Sequence, residues 1–366
     1  LVALRLGAYQ LGWLERVPAR AAIYESVELV KKARKRSAAP FANAVLRKLA
    51  AKAAKLRPAV PTNTNTPNLT AAWAHPEWLV KRWLAQYGME RAARICAYDQ
   101  QVPLTAIRLH HAGAEEELRQ AGIELAAGAF LARARRVLLG EITHTPAFRK
   151  GWVAIQDEAS QLAAALVGCG ERLLDCCAAP GGKTAILADC NPDSQIIAAD
   201  LHPQRARLLR RLVRAENVQV ICADAENLPV SGEFDRVLAD VPCSGTGTLA
   251  RNPEIKWRLK PEDLADLHAR QVAIASSAVN RLAPGGRLVY STCSLEREEN
   301  QAVVEEVLSK TAGLRLLHCR GELERMRERG ELVWRDLDSI TDGLFLRTLP
   351  GVHPCDGFFA AMLERA

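Results

Sequence analysis

From residue 151 onward, short apolar runs alternate with helical patterns, and this alternation restricts the fold more than any other feature of the chain. The runs cover residues 172–176, 195–199, 218–222, 234–239 and 287–291. Strands separated by helices at this spacing pair in parallel, because each crossover helix returns the chain to the same end of the sheet. The pattern predicts a doubly wound, Rossmann-like α/β domain over residues 151–366. Two late apolar segments, 314–317 and 358–363, would add an antiparallel edge.

The front of the chain reads differently. Residues 1–57 are helical in pattern, with apolar positions three and four apart (Val27 and Val30; Ala42, Val45, Leu46 and Leu49) and a basic run Lys31, Lys32, Arg34, Lys35, Arg36 between two helices. Residues 57–67 hold three prolines and alternating Thr and Asn, a composition that breaks helices and predicts a linker. Helices resume over 70–100, where Trp73, Trp78 and Trp83 suit packing anchors better than a base-stacking platform. A strand at 104–110, a helix at 115–121 and a strand at 136–139 predict a small α+β unit. The expected divisions are therefore an all-α domain at 1–60, a linker with the α+β unit at 61–150, and the α/β domain at 151–366. The chain opens at Leu1 inside an apolar run, which reads as a fragment edge.

Charge separates the same halves. Residues 1–150 carry 24 Lys and Arg against 11 Asp and Glu, whereas residues 151–366 carry 25 against 31. A basic front on a mildly acidic back points to a module that holds a polyanion, with nucleic acid favoured. With 49% hydrophobic and 25% charged residues the composition is that of a globular chain. No window approaches eighteen uninterrupted apolar residues, so neither a membrane span nor membrane association is expected. The ten cysteines contain no C-x-x-C pair for zinc or redox exchange, so no metal site is expected. Free thiols in a reducing cytoplasm, most of them small buried hydrophobes, are the expected state.

In doubly wound sheets ligands bind beyond the carboxyl ends of the strands. The first strand runs into Asp175-Cys176-Cys177-Ala178-Ala179-Pro180-Gly181-Gly182-Lys183-Thr184, a turn that lacks both the P-loop and the G-x-G-x-x-G spacing. The second strand ends at Asp200, nineteen residues after Gly181, where a carboxylate suits ribose hydroxyls, and the third ends at Asp224, where a carboxylate could accept from an adenine amine. Together these describe an adenosine pocket with no pyrophosphate site, which S-adenosylmethionine fits better than NAD. The fourth strand ends in Asp240-Val-Pro-Cys243-Ser-Gly-Thr-Gly and the fifth in Ser291-Thr-Cys293-Ser. If those strands are neighbours, about 4.8 Å apart, two thiols border one cavity beside the cofactor. Methylation of C5 of cytosine needs such a group: the ring carbon is unreactive until a soft nucleophile adds at C6. Asp240 could hydrogen-bond the N3/N4 edge of the base.

These three blocks resemble the signature blocks of RNA cytosine-5 methyltransferases, in order and spacing, over residues 151–366. The resemblance implies that Cys293 is the nucleophile, that Cys243 assists release of the methylated product, and that Cys177, Ala178, Ala179, Pro180, Gly181, Gly182, Lys183, Asp200, Asp224 and Asp240 hold S-adenosylmethionine. Asn252-Pro-Glu-Ile-Lys-Trp257 is similar to a block of the bacterial branch that acts on 16S ribosomal RNA. Leu4-Arg-Leu-Gly-Ala-Tyr9-Gln and Phe41-Ala-Asn43-Ala-Val-Leu46-Arg47 look like later helices of its NusB-like RNA-binding domain. The resemblance implies 16S ribosomal RNA as substrate, a target base unpaired or flipped out, and a monomer. The competing readings are a transfer-RNA cytosine-5 methyltransferase and, more distantly, a non-catalytic RNA-binding or transcription factor. An exocyclic-amine methyltransferase would carry Asp/Asn-Pro-Pro-Tyr/Phe where this chain has Asp240-Val-Pro-Cys243.

Overall fold

The computed structural model describes residues 1–14, 16–52 and 66–366, which divide into two compact units, Leu1–Ala74 and His75–Ala366. The first is helical: α1 (Val2–Trp13), α2 (Ala19–Lys32), α3 (Ala39–Ala50) and α4 (Thr66–Trp73). Lys31 and Lys32 lie in the last turn of α2, where cations offset the helix dipole, and Pro40 opens α3, where its missing N–H costs nothing. Gly7 lets α1 close on α2 and α3, since a Cβ there would stand 2.7 Å from both Leu46 Cδ2 and Ser26 Oγ. The linker expected at 57–67 lies outside the described residues as far as residue 65. Its last two residues, Thr66 and Pro67, are not linker but the start of α4, so this unit runs past residue 60.

The second unit begins with α5 (Glu77–Tyr98), kinked at Gly88 (φ +78°). A small antiparallel sheet follows, built from β1 (Thr105–Leu109), α6 (Ala114–Gln120), β2 (Glu124–Ala127), β3 (Ala134–Leu139), α7 (Pro146–Arg149) and β4 (Val153–Ile155), in strand order β2-β3-β1-β4. The expected α+β unit is present, with two strands that the pattern did not show. β2 is Glu-Leu-Ala-Ala, poor in strand formers, and β4 has three residues.

After α8 (Glu158–Ala165) come β5 (Arg172–Asp175), α9 (Gly182–Cys190), β6 (Gln195–Asp200), α10 (Pro203–Leu212), β7 (Val218–Cys222) and β8 (Phe234–Asp240). The chain continues with α11 (Ile255–Arg258), α12 (Asp263–Val279), β9 (Leu282–Thr292) and α13 (Gln301–Lys310). It finishes with β10 (Leu314–Leu317), α14 (Cys319–Glu328), β11 (Thr341–Asp342), β12 (Phe345–Thr348) and β13 (Phe358–Arg365). The order is β11-β12-β13-β9-β8-β5-β6-β7, with β10 pairing β13. β9, β8, β5, β6 and β7 are parallel, as expected. Two expectations need correction. Residues 358–363 lie inside the sheet, flanked by β9 and β12, not at its edge. β9 begins at Leu282 rather than 287, crossing Pro284-Gly285-Gly286, residue types that usually end a strand.

Two layers of core sandwich this sheet, one around Leu173, Leu187 and Leu238, the other around Val237, Ala275 and Val304. The buried Glu158 carboxylate accepts from the backbone N–H groups of Ala129, Phe130 and Leu131, and His110 Nδ1 lies 2.5 Å from Asp189 Oδ2. Those contacts join the small sheet to the large one. No helix among the described residues is long and apolar enough to cross a membrane. All ten cysteines are free, but only Cys96, Cys176, Cys319 and Cys355 are buried. Cys169, Cys190 and Cys222 are exposed, because they sit in a loop, at the end of α9 and at the end of β7 rather than on the core face.

Candidate active site

Strand order reverses at β5, whose neighbours are β6 and β8, and the carboxyl ends of β5, β6, β8 and β9 converge there. The loop after β5 is stitched to both neighbours: Cys176 N donates to Leu238 O (2.9 Å) and Ala178 N to Ala199 O (2.8 Å). Gly181 holds φ +117°, and a Cβ there would stand 2.5 Å from Val213 Cγ2, so only glycine serves. Thr184 in the first turn of α9 donates back to Asp175 Oδ2 at 2.7 Å, while Asp175 Oδ1 is buried without a partner.

Burial pushes the Asp175 carboxyl up to about 7, against the Thr184 hydrogen bond, which lowers it. A folded-state pKa above the unfolded value of 3.8 means that the native state binds the extra proton. The stability this group contributes is therefore complete below pH 3.8 and is lost as pH rises through about 7. Asp175→Asn, which cannot ionise, is expected to flatten that part of the wild-type Tm–pH profile. Parallel profiles for the two proteins would refute the assignment.

Asp200 ends β6 almost fully buried; its Oδ1 accepts from His202 N (3.0 Å), and Arg205 reaches both Asp200 Oδ2 (3.4 Å) and Ala179 O (2.8 Å). Asp224 is exposed, two residues beyond the end of β7, and caps a 3-10 turn through Glu226 N (3.0 Å). Asp240, at the end of β8, binds Lys183 Nζ through Oδ2 (2.7 Å) and Ser291 Oγ through Oδ1 (2.8 Å), and the Lys183 ammonium lies 5.0 Å from the Phe358 ring centroid. Cys177, between these carboxylates, is pushed up by burial and then by Asp175 and Asp240, so it keeps its proton.

β8 and β9 are neighbours in register, Asp240 opposite Ser291, and the loops beyond them bring Cys243 Sγ and Cys293 Sγ to 3.3 Å. The hydrogen bond with Cys293 is the largest influence on Cys243 and, with burial and the charges of Glu299 and Asp240, pushes its thiol well above the ordinary cysteine range. Cys243 therefore keeps its proton. Behind the thiols stands a group that sequence reasoning missed: Glu299, fully buried, accepts from Ser244 N (2.7 Å), Ser244 Oγ, Ser294 Oγ (2.5 Å) and Gln271 Nε2 (2.9 Å). It lies in Glu296-Arg-Glu-Glu299-Asn, a charged run that reads as a solvated turn.

Residues 167–364 match the family described as 16S rRNA methyltransferase RsmB/F. The chain belongs to that family. Ahead of that match, residues 1–51 match the NusB family and residues 75–137 the ferredoxin-like domain of RsmF/B-like methyltransferases. A Bacillus subtilis protein named "Probable ribosomal RNA small subunit methyltransferase B" is 33% identical over 99% of this chain and 82% of its own length. The ribosomal RNA small subunit methyltransferase B of Vibrio cholerae is 34% identical, over 98% and 80%. Among solved structures, a methyltransferase homolog protein from Pyrococcus horikoshii superposes with a TM-score of 0.67 at 25% identity, covering 82% of this chain and 99% of its own.

RsmB/F proteins use S-adenosylmethionine, and the residues here fit it. Asp200 ends its strand one strand away from the glycine loop, Ala178 and Ala179 keep that loop's side chains small, and the left-handed Gly181 leaves the backbone open to close approach.

Proposed function

We propose that this protein transfers a methyl group to C5 of a cytosine in small-subunit ribosomal RNA through a covalent bond between Cys293 and C6 of the base. The observation that carries this reading is the pair of thiols 3.3 Å apart beside the Asp240–Lys183 ion pair, at the crevice where strand order reverses. The names of the relatives favour ribosomal over transfer RNA, and membership in an enzyme family sets aside a non-catalytic RNA-binding factor.

The loop Cys177–Lys183 together with Asp200 and Asp224 would hold the cofactor, Asp200 toward the ribose and Asp224 toward the adenine. When bound, S-adenosylmethionine supplies an electrophilic methyl group on a sulfonium centre. Cys293 releases its proton to solvent, Cys243 donates a hydrogen bond to the resulting thiolate, and that sulfur adds at C6. Addition moves electron density onto the ring, where the Lys183 ammonium, held by Asp240, offsets it. C5 is then a carbon nucleophile. After methylation the C5 proton passes to solvent, its bonding pair re-forms the C5=C6 bond, and the C6–S electron pair returns to Cys293, with Cys243 beside the bond that breaks. The helical unit and its basic run hold RNA phosphates, and the protein works as a monomer in the cytoplasm.

Incubation with unmodified 16S ribosomal RNA and S-adenosylmethionine, followed by nucleoside mass spectrometry, is expected to yield 5-methylcytidine from ribosomal but not from transfer RNA. Methylated adenosine or guanosine as the product would overturn the reading. RNA affinity is expected to fall steeply with salt, by about 0.7–0.9 in log K per log salt for each phosphate held. A flat dependence would remove RNA phosphates from the basic face.

A further inference from the structure

We propose that Glu299 is the positioning residue that sets the two reactive thiols relative to one another, its one carboxylate holding the residue that follows each of them. This rests on the thiol reading above and adds a part to it.

Each thiol sits on a loop that leaves a strand end, and loops do not by themselves hold two sulfur atoms in contact. Here both neighbours of each cysteine are tied down. On the Cys243 side, Ser244 donates to Glu299 through its backbone N–H (2.7 Å) and its hydroxyl, and Pro242 O accepts from Gln271 Nε2 (2.9 Å), which also donates to Glu299 (2.9 Å). On the Cys293 side, Ser294 Oγ donates to the same Glu299 oxygen at 2.5 Å and stands 3.0 Å from Ser244 Oγ. The adjacent Asn300 accepts from Thr292 Oγ1 (2.5 Å) and donates to Ser294 O (2.9 Å). Glu299, Asn300, Gln271, Thr292 and Ser294 are all 0% exposed.

The Glu299 carboxylate accepts from neutral donors, a backbone N–H, two hydroxyls and an amide. A buried carboxylate satisfied only by neutral groups carries a desolvation cost that no counter-charge offsets. What the carboxylate supplies instead is convergence: two oxygens that accept from two different loops. Its charge also contributes to holding the Cys243 proton in place.

The test is a set of variants of the full chain with 16S ribosomal RNA transcript and S-adenosylmethionine, with cofactor affinity and Tm measured beside kcat and KM. Glu299→Ala is expected to lower kcat by about 100-fold, the loss that a displacement of about 1 Å produces, with cofactor affinity and KM for RNA unchanged. Glu299→Gln is expected to recover most of kcat, because its amide still accepts from Ser244 N and can donate to the two serine oxygens. Two milder variants separate the sides: Ser294→Ala slows formation of the protein–RNA adduct in a Cys243→Ala background, and Ser244→Ala raises the share of protein caught on RNA.

Equal loss in the Gln and Ala variants, cofactor affinity falling in step with kcat, or serine variants that leave adduct levels untouched would each overturn the proposal. Failure of the thiol reading shows up separately, as full methylation by Cys293→Ala.

Discussion

Cys243→Ala is expected to leave the protein covalently joined to its RNA, visible on a denaturing gel as a slow band that needs S-adenosylmethionine, while Cys293→Ala gives no such band and loses methylation by at least about 1,000-fold. The two thiols are 3.3 Å apart but are not equivalent. Cys293 directly follows β9, the strand beside β8, and Cys243 is the member whose proton is held by its neighbours and by burial. Removing Cys293 removes the atom that bonds C6, so neither adduct nor product forms. Removing Cys243 leaves that atom in place and takes away the group beside the bond that must break, so the reaction stalls after methyl transfer. An adduct from Cys293→Ala alone would exchange the two roles. Absence of an adduct from both variants, with the wild type still methylating, would remove covalent catalysis from the account.

Gly247→Ala is the second large effect, and its cause is purely steric. The Gly247 N–H donates to Cys293 O (2.9 Å), and its carbonyl accepts from Gly357 N (2.7 Å), so this residue links the loops after β8 and β9 to the segment entering β13. A methyl group there would lie 2.2 Å from Gly357 O, 2.7 Å from Gly357 C and 2.9 Å from Cys293 O. All three are backbone atoms, with no flexible side chain to swing aside. Overpacking of this kind costs about 1–3 kcal/mol, and the movement that relieves it falls on the Cys293 loop, where about 1 Å is worth about 100-fold in rate. Tm and kcat should fall together. Gly321→Ala, on α14 with only Arg325 Nη1 at 3.9 Å, serves as the comparison and should change neither. A Gly247→Ala protein with kcat within about twofold of wild type would refute the steric account.

The site was legible in the sequence where its residues fall at strand ends, since the strands themselves were legible from alternation. Asp240 and Cys293 end their strands or follow them directly, as read. Partnerships across the sheet were not legible. Lys183 meets Asp240 from α9, and this pairing gives Asp240 a protein partner where the sequence suggested a base edge and a place among the cofactor residues. Asp224 lies past the end of its strand in the structure and already serves as a cap. Glu299 was hidden by its company: three glutamates and an arginine in four residues have the look of a surface turn, yet Glu296 and Glu299 are buried and only Glu298 is partly exposed. Even Glu296 has a structural reason, since it receives Arg82 Nε (2.6 Å) and Trp83 Nε1 (3.1 Å) from α5, far away in sequence. The strands that escaped notice, β2, β4, β11 and β12, have two to four residues each, too few for a period of two to stand out.

The antiparallel insertion of β13 beside β9 has a consequence for the order in which the enzyme is made. β9 carries Cys293 at its end, and its far edge pairs with Phe359–Glu364, residues translated well after it. Until they leave the ribosome, the strand that leads to Cys293 presents a bare row of N–H and C=O groups, the kind of edge that recruits foreign strands. The parallel strands β5 to β9 can pair during translation, but the outer edge of β9 must wait for a non-local partner. Closure of that edge is therefore coupled to synthesis of Phe359–Glu364, and a nascent chain stalled before Phe358 would be a methyltransferase in outline and an aggregation hazard in practice.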